Sequence, residues 1–307
     1  MQQFVQQLLN GLFLGSIYAL IALGYTMVYG VLRFINFAHG DVFMLGAFAG
    51  LYTQKALGPL MTSLPWPVSA ALVLVISMAT CAIAGIVIEL LAYRPLRNRP
   101  RLNVLITAIG VSLFLEYTGQ LVFGATQVPF PPLMPSHNVS GLGELTVTNV
   151  QVLVLLAAVG LMLGLRFVVM RTRLGLAMRA MSLNPTASSL MGVNNSIVIS
   201  FTFGLGSALA AAGGIFYASL YPSIEPFMGI IPGLKAFVAA VLGGIGNIPG
   251  AALGGLIIGI TETLVAGYSQ KIGIPSGYKE GVAFVILILI LIFKPSGLLG
   301  KVEREKV

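Results

Sequence analysis

Long apolar runs separated by short polar stretches organise this chain of 307 residues. A helix that crosses a bilayer needs roughly 20 apolar residues. Runs near that length occupy 7–29, 66–92, 103–123, 148–169, 197–221 and 250–268, and shorter ones occupy 41–54, 229–246 and 280–294. The runs at 41–54 and 229–246 are rich in glycine or flanked by it, so each can re-enter the membrane instead of crossing it. The pattern predicts an all-α, polytopic integral membrane protein with about 8–10 transmembrane or re-entrant helices, in one domain over 1–307.

One polar interruption, RTRLGLAMRAMSLNPTASSLMGVNN at 171–195, lies between two membrane-length runs and must sit outside the bilayer. Its second half reads as a short helix. Asn184 suits the N-cap, Pro185 the first helical position, Ala187, Leu190 and Met191 one face, and Gly192 or Asn194 the end. A small exposed helix with an apolar face, held between two spans, reads as a docking surface for a partner.

Composition strengthens the membrane reading. Only 8% of residues are charged and 57% are hydrophobic, with a mean hydropathy of +0.96, whereas a soluble domain is about a quarter charged. The net charge of +8 would suggest nucleic acid in a soluble protein. Here the bases flank apolar runs, so they report topology and contact with membrane lipid, with no nucleic-acid partner. Short loops rich in Lys and Arg stay cytoplasmic. Arg94, Arg97, Arg99 and Arg101, the 171–195 segment, the tail with Lys294, Lys301, Arg304 and Lys306, and Arg33 and Arg166 place 13 of 17 bases on one side of a nine-crossing arrangement. The other four are Lys55, Lys235, Lys271 and Lys279. The N-terminus is then external and the C-terminus cytoplasmic; an eight-segment arrangement moves the N-terminus or needs a compensating segment.

Trp66 and Tyr93 anchor the 66–92 run at the two interfaces. The loop 124–147 holds Pro129, Pro131, Pro132 and Pro135, one acid (Glu144) and no Lys or Arg, as an external loop should. Within it, Asn138-Val139-Ser140 fits the glycosylation acceptor pattern, a triplet that often arises by chance. The first run lacks a basic start and is too long for a cleaved signal, so it is expected to be a retained span. Cys81, alone and inside an apolar run, permits no internal disulfide.

Three features could carry chemistry. In RFINFAHGDVFMLG (33–46), Asn36, His39, Gly40 and Asp41 interrupt two apolar runs. Polar groups beside a broken helix are a common transport site, yet His39 and Asp41 could simply cap the next helix. In KAFVAAVLGGIGNIPGAALGGLIIG (235–259), Pro249 breaks the helix after Gly243, Gly244, Gly246 and Asn247, and Gly250, Gly254, Gly255 and Gly259 allow close packing. That break is either a packing device or part of a gate. Glu89 lies one turn from Arg94 and reads as interfacial. Glu116 and Glu262 lie mid-run, where each needs a partner, water or a transport role. Two potential ligands at 39 and 41 make no metal site. No phosphate-binding loop, nucleophile–base pair or metal-ligand spacing occurs in the sequence, so an enzyme is not expected.

These stretches, with ELLAYRPLR (89–97), RLGLAMRAMSLNPTASSLMGVN (173–194) and KPSGLLG (294–300), resemble the bacterial ABC-transporter permeases for branched-chain amino acids, of the LivH type. The likeness runs along nearly the whole chain. It implies a second homologous permease, two cytoplasmic ABC ATPases that bind the ATP, and a periplasmic binding protein, in the inner membrane, with no cofactor in this chain. By position, Arg179-Ala180 and Asn184 to Gly192 would be the ATPase-coupling element. The 36–41 and 243–250 regions would border the pathway near the subunit interface. The same resemblance covers permeases for urea or short amides. Without it, a proton-coupled carrier using Glu116 or Glu262, or a passive channel, fits the composition equally well.

Overall fold

The computed structural model describes residues 1–58, 63–97, 99–139, 145–273 and 275–300. Ser140, Glu144 and the tail bases Lys301, Arg304 and Lys306 lie outside the described residues. In chain order the helices are α1 (Gln2–Leu32), α2 (His39–Ala56), α3 (Trp66–Ile88), α4 (Arg101–Phe123), α5 (Asn149–Arg171), α6 (Arg173–Leu183), α7 (Pro185–Leu190), α8 (Asn195–Leu220), α9 (Ile230–Gly243), α10 (Ile248–Ile272) and α11 (Lys279–Phe293). A π-helical turn (Glu89–Tyr93) and a 3₁₀ turn (Arg94–Leu96) extend α3. Among the described residues, six helices are long and apolar enough to cross a membrane. With the shorter α2, α9 and α11 they match all nine apolar runs of the sequence.

Helix α1 is the axis of the bundle. It is apolar on every side and buried nearly throughout, as a helix without a polar face must be. Helix α10 runs antiparallel against it along a seam of small residues, where a methyl group at Gly259 would collide with the Gly15 backbone. Helices α3, α4 and α5 form a rim instead, turning Ile83, Ile106, Leu121, Leu156 and Phe167 outward. Exposed apolar side chains on continuous helices suit a hydrocarbon surround, because all their backbone bonds are made internally.

The two ends of the bundle differ in charge. At one end the Gln6 side chain both donates to Thr146 O and accepts from Thr146 N, each at 2.9 Å, tying the start of α1 to the proline-rich loop. A two-residue antiparallel pair, β1 (Val128–Pro129) with β2 (Ser223–Ile224), pins the same loop to the chain after α8. At the other end Arg33 reaches Ser182 O, and Asn247 donates to Leu299 O at 2.7 Å. The arginines of 94–99 and 171–179 gather at this second end.

Helix α1 stops at Arg33, whose left-handed backbone (φ 56°) turns the chain back into the layer. Helix α2 starts not at the membrane face but beside Gly24, where the His39 ring lies against α1. Gly24 is eight residues from the end of α1, roughly 12 Å along the axis. The half-span expected at 41–54 is thus a helix that begins inside the layer.

Candidate translocation site and coupling surface

Helix α2 opens into a small cavity of about 90 Å³, lined by Tyr25, Asp41, Ser112, Glu116 and the glycines Gly40, Gly229 and Gly233. The glycines are required here. A side chain at Gly229 would run into the Gly40 backbone, so only paired glycines let the starts of α2 and α9 meet. Ser112 donates to the Asp41 carboxylate at 2.5 Å, and Glu116, one turn further along α4, reaches both groups. Two carboxyls and a hydroxyl therefore converge on one cavity with no base in its lining. Their sequence positions, 41 and 112–116, gave no sign of this meeting.

Neither His39 nor Asp41 is the N-cap residue of α2. The N-cap is Ala38, which makes no side-chain cap bond, while Asp41 sits in the first turn. His39 is buried, edge-on to Tyr25 with ring centroids 4.7 Å apart, and its Nε2 has no hydrogen-bond partner. Its role is to wedge α2 against α1. Asn36, also buried, accepts from the Tyr93 hydroxyl at 2.6 Å and fastens the turn before α2 to the π-helical end of α3. Of the predicted group, then, Gly40 and Asp41 face the cavity, whereas Asn36 and His39 hold the helix that presents them.

Glu262 is differently placed. The Lys235 ammonium on α9 donates to it at 2.7 Å, and the Tyr18 hydroxyl on α1 donates to it at 2.9 Å. Lys235 also pairs with Glu280 on α11, so one buried lysine joins four helices. Lys235, only 2% exposed, is the important residue that sequence reading missed. Counting it among bases off the cytoplasmic side said nothing about burial. Glu89 also departs from expectation. It is fully buried, and its partners are Arg97 and Ser200, not Arg94. The π turn and the 3₁₀ turn that follow it rewind the chain, so a residue eight positions on takes the place of one at five.

The break at 244–247 is present, with Gly244 and Gly246 at φ 100° and 92°. Asn247 caps α10 by accepting from Gly250 N at 3.0 Å, and Pro249 sits in the first turn, where a missing N–H is harmless. Gly243 packs against Gly250. The segment 294–300 folds over the break, its Leu298 N donating to Leu242 O and Leu299 N to Gly243 O. Gly243, Gly244, Gly246, Asn247 and Gly250 therefore form a closed joint at the basic end, and none lines the carboxyl cavity.

At the same end, 171–195 is more helical than expected. Its first half forms α6, capped by Thr172, which accepts from Gly175 N at 3.0 Å. The second half forms α7 as read: Asn184 is the N-cap, accepting from Ala187 N at 3.0 Å, with Pro185 in the first turn and Gly192 at φ 85° just beyond the end. Ser188 is buried and bonds Asn195, which holds α7 to the start of α8. Leu190 and Met191 are 83% and 85% exposed. Arg179 donates to Met170 O, packing α6 back on the end of α5, with Ala180 half-buried.

The family model for the permease component of branched-chain amino acid transport systems matches residues 7–291. The chain belongs to that family. It is 42% identical to the high-affinity branched-chain amino acid transport system permease protein LivH of Escherichia coli K12, over 99% of this chain and 98% of that one. BraD of Pseudomonas aeruginosa, a permease protein of the same description, is also 42% identical over 99% and 98%. The probable LivH permease of Methanocaldococcus jannaschii is 29% identical over 93% and 89%. This permease is therefore a multi-pass membrane protein whose cavity, break and α6–α7 pair belong to a transport subunit.

Proposed function

We propose that this permease carries branched-chain amino acids across the bacterial inner membrane as one subunit of an ATP-driven importer. The observation that carries the reading is α7, a capped helix that holds Leu190 and Met191 out to solvent between two membrane helices. Two exposed large apolar side chains on a six-residue helix are explained by a partner that covers them. The partners are two cytoplasmic ABC ATPases, which bind the ATP, a second homologous permease and a periplasmic binding protein. The basic end, with α6, α7 and the chain's C-terminal segment, is cytoplasmic; the proline-rich loop faces the binding protein.

In this mechanism closure of the ATPases pushes α7. Because Ser188 bonds Asn195 and α6 abuts α5, the push passes into α8 and α5. Arg97 carries it onward, since it bonds Ser196 at the start of α8 and Glu89 at the end of α3. The joint around Gly243–Gly250 lets α9 and α10 reorient, and Asp41, Ser112 and Glu116 receive the polar end of the substrate between the two access states. The residues do no bond-making chemistry; they bind, orient and release.

Purification from native membranes in mild detergent tests the reading, with the co-purifying chains identified and reconstituted. Two ATPase subunits and a second permease are expected, with uptake of leucine, isoleucine and valine that requires ATP. Uptake of urea or short amides instead would move the substrate class. A chain that emerges alone would refute the importer.

A further inference from the structure

A second, larger cavity lies at the opposite end of the bundle from α7. It measures about 700 Å³, within the 300–1,000 Å³ typical of small-molecule sites. Its walls are α1, the start of α5, the end of α8 and α10, and its roof is the strap 130–136 of the proline-rich loop. The strap is pinned at both ends. On one side Val128–Pro129 pairs with Ser223–Ile224, and Phe130 N donates to Pro222 O at 3.2 Å. On the other, Asn149 donates to Pro135 O at 2.8 Å and accepts from His137 N at 2.9 Å. Pro131, Pro132 and Pro135 restrict what lies between. The cavity is thus held open by a fixed roof.

Its lining has two characters. Phe13, Leu14, Phe130 and Leu133 give it an apolar part. Gln7, Asn10, Gln151 and Thr263 add amides and a hydroxyl. Gln151 Oε1 accepts from Thr148 N, Asn10 Oδ1 from Gln6, and Thr263 donates to Gln7 O, which leaves the amide N–H groups of Asn10 and Gln151 for a solute. The Gln7 side chain makes no hydrogen bond among the described residues, its backbone carbonyl alone being used by Thr263. The wall includes no Asp, Glu, Lys, Arg or His. A net charge placed there would be desolvated without a counterion, which is costly. A groove for a lipid tail would have no use for three primary amides and a hydroxyl.

We propose that this cavity is an outer holding site for the transported solute, a small net-neutral amino acid with an apolar side chain. The amide groups take its polar end and the Phe13–Phe130 side takes the hydrocarbon. The proposal rests on the reading of the chain as a permease for such amino acids. It places a site on the entry side, remote from Asp41 and Glu116, where solute released by a binding protein is retained before the inner cavity opens.

The test uses the complete transporter in lipid nanodiscs and proteoliposomes, with Ser219→Cys and Ala266→Cys introduced separately. Both positions line the cavity, and the native Cys81 is buried and silent. Labelling by a small methanethiosulfonate should slow about tenfold at saturating leucine, as occupancy near nine-tenths requires. Glutamate, of similar size but charged, should not slow it. Equal labelling with and without leucine, in a preparation that takes leucine up, would overturn the holding site and leave the permease reading intact. Labelling that is blocked by nanodisc lipid alone, and freed in detergent, would assign the cavity to lipid and also overturn it. A preparation that transports no leucine would remove the permease reading, and the holding site with it.

Discussion

Two of the acid clusters in this bundle, one around Lys235 and one on the small cavity, are solved in opposite ways. Glu262 and Glu280 share one lysine, with a tyrosine hydroxyl on Glu262, and fill their space. Asp41 and Glu116 meet each other and Ser112, with no base in the lining, and face a cavity. In the first group the buried Glu262 carboxylate is matched by a buried ammonium and a hydroxyl. The second leaves acceptors free, and they lie where a broken helix starts inside the membrane layer. Position in a hydrophobic run made Glu116 and Glu262 look alike; the counterion distinguishes them.

The largest effect expected from this contrast is on stability. Lys235→Met leaves the Glu262 carboxylate buried without its ion-pair partner, and breaking such a pair costs about 3–5 kcal/mol. The variant should be lost from the membrane or unfold well below the parent, read by abundance and by thermal unfolding in detergent. Lys235→Met combined with Glu262→Met should recover most of that loss, because an apolar replacement of a buried pair is often neutral or better. If the double variant is as unstable as the single one, the cluster does more than hold helices together.

The cavity acids should show the reverse. Asp41→Asn preserves shape and leaves folding within about 1 kcal/mol of the parent, since the amide can still accept from Ser112. Leucine uptake should nevertheless fall about tenfold, equivalent to 1.4 kcal/mol. An unchanged uptake rate would return Asp41 to the structural class. Glu116→Gln, further from the start of α2, should cost less, about two- to threefold in uptake, on the scale of one weakened neutral hydrogen bond. Complete loss of uptake there, with pH dependence abolished, would favour a proton-coupled carrier.

The comparison also shows what a linear reading reaches. The nine apolar helices, the break at Gly246–Asn247 and the cap Asn184 were legible because each is set by local periodicity or by turn and cap chemistry. The extra helix α6 was missed because its alternation of Arg and apolar residues looked like a basic loop, while Thr172 supplies the cap that starts it. The partners of Glu89, Asp41 and Glu262 were not legible. They depend on how the π turn rewinds α3 and on which helices meet across α1, and neither leaves a pattern in the sequence. His39 was visible as an anomaly, but its task as a wedge against Gly24 appears only once α1 and α2 are seen to cross.

The account depends most on α7 as the lever between ATP hydrolysis and transport. The direct measurement is ATP hydrolysis and leucine uptake on the same proteoliposomes, comparing the parent complex with one carrying Leu190→Asp and Met191→Asp. Both side chains are more than four-fifths exposed, so the permease should fold unchanged. The account predicts that hydrolysis continues while uptake falls to background. Uptake that stays in step with hydrolysis would contradict it.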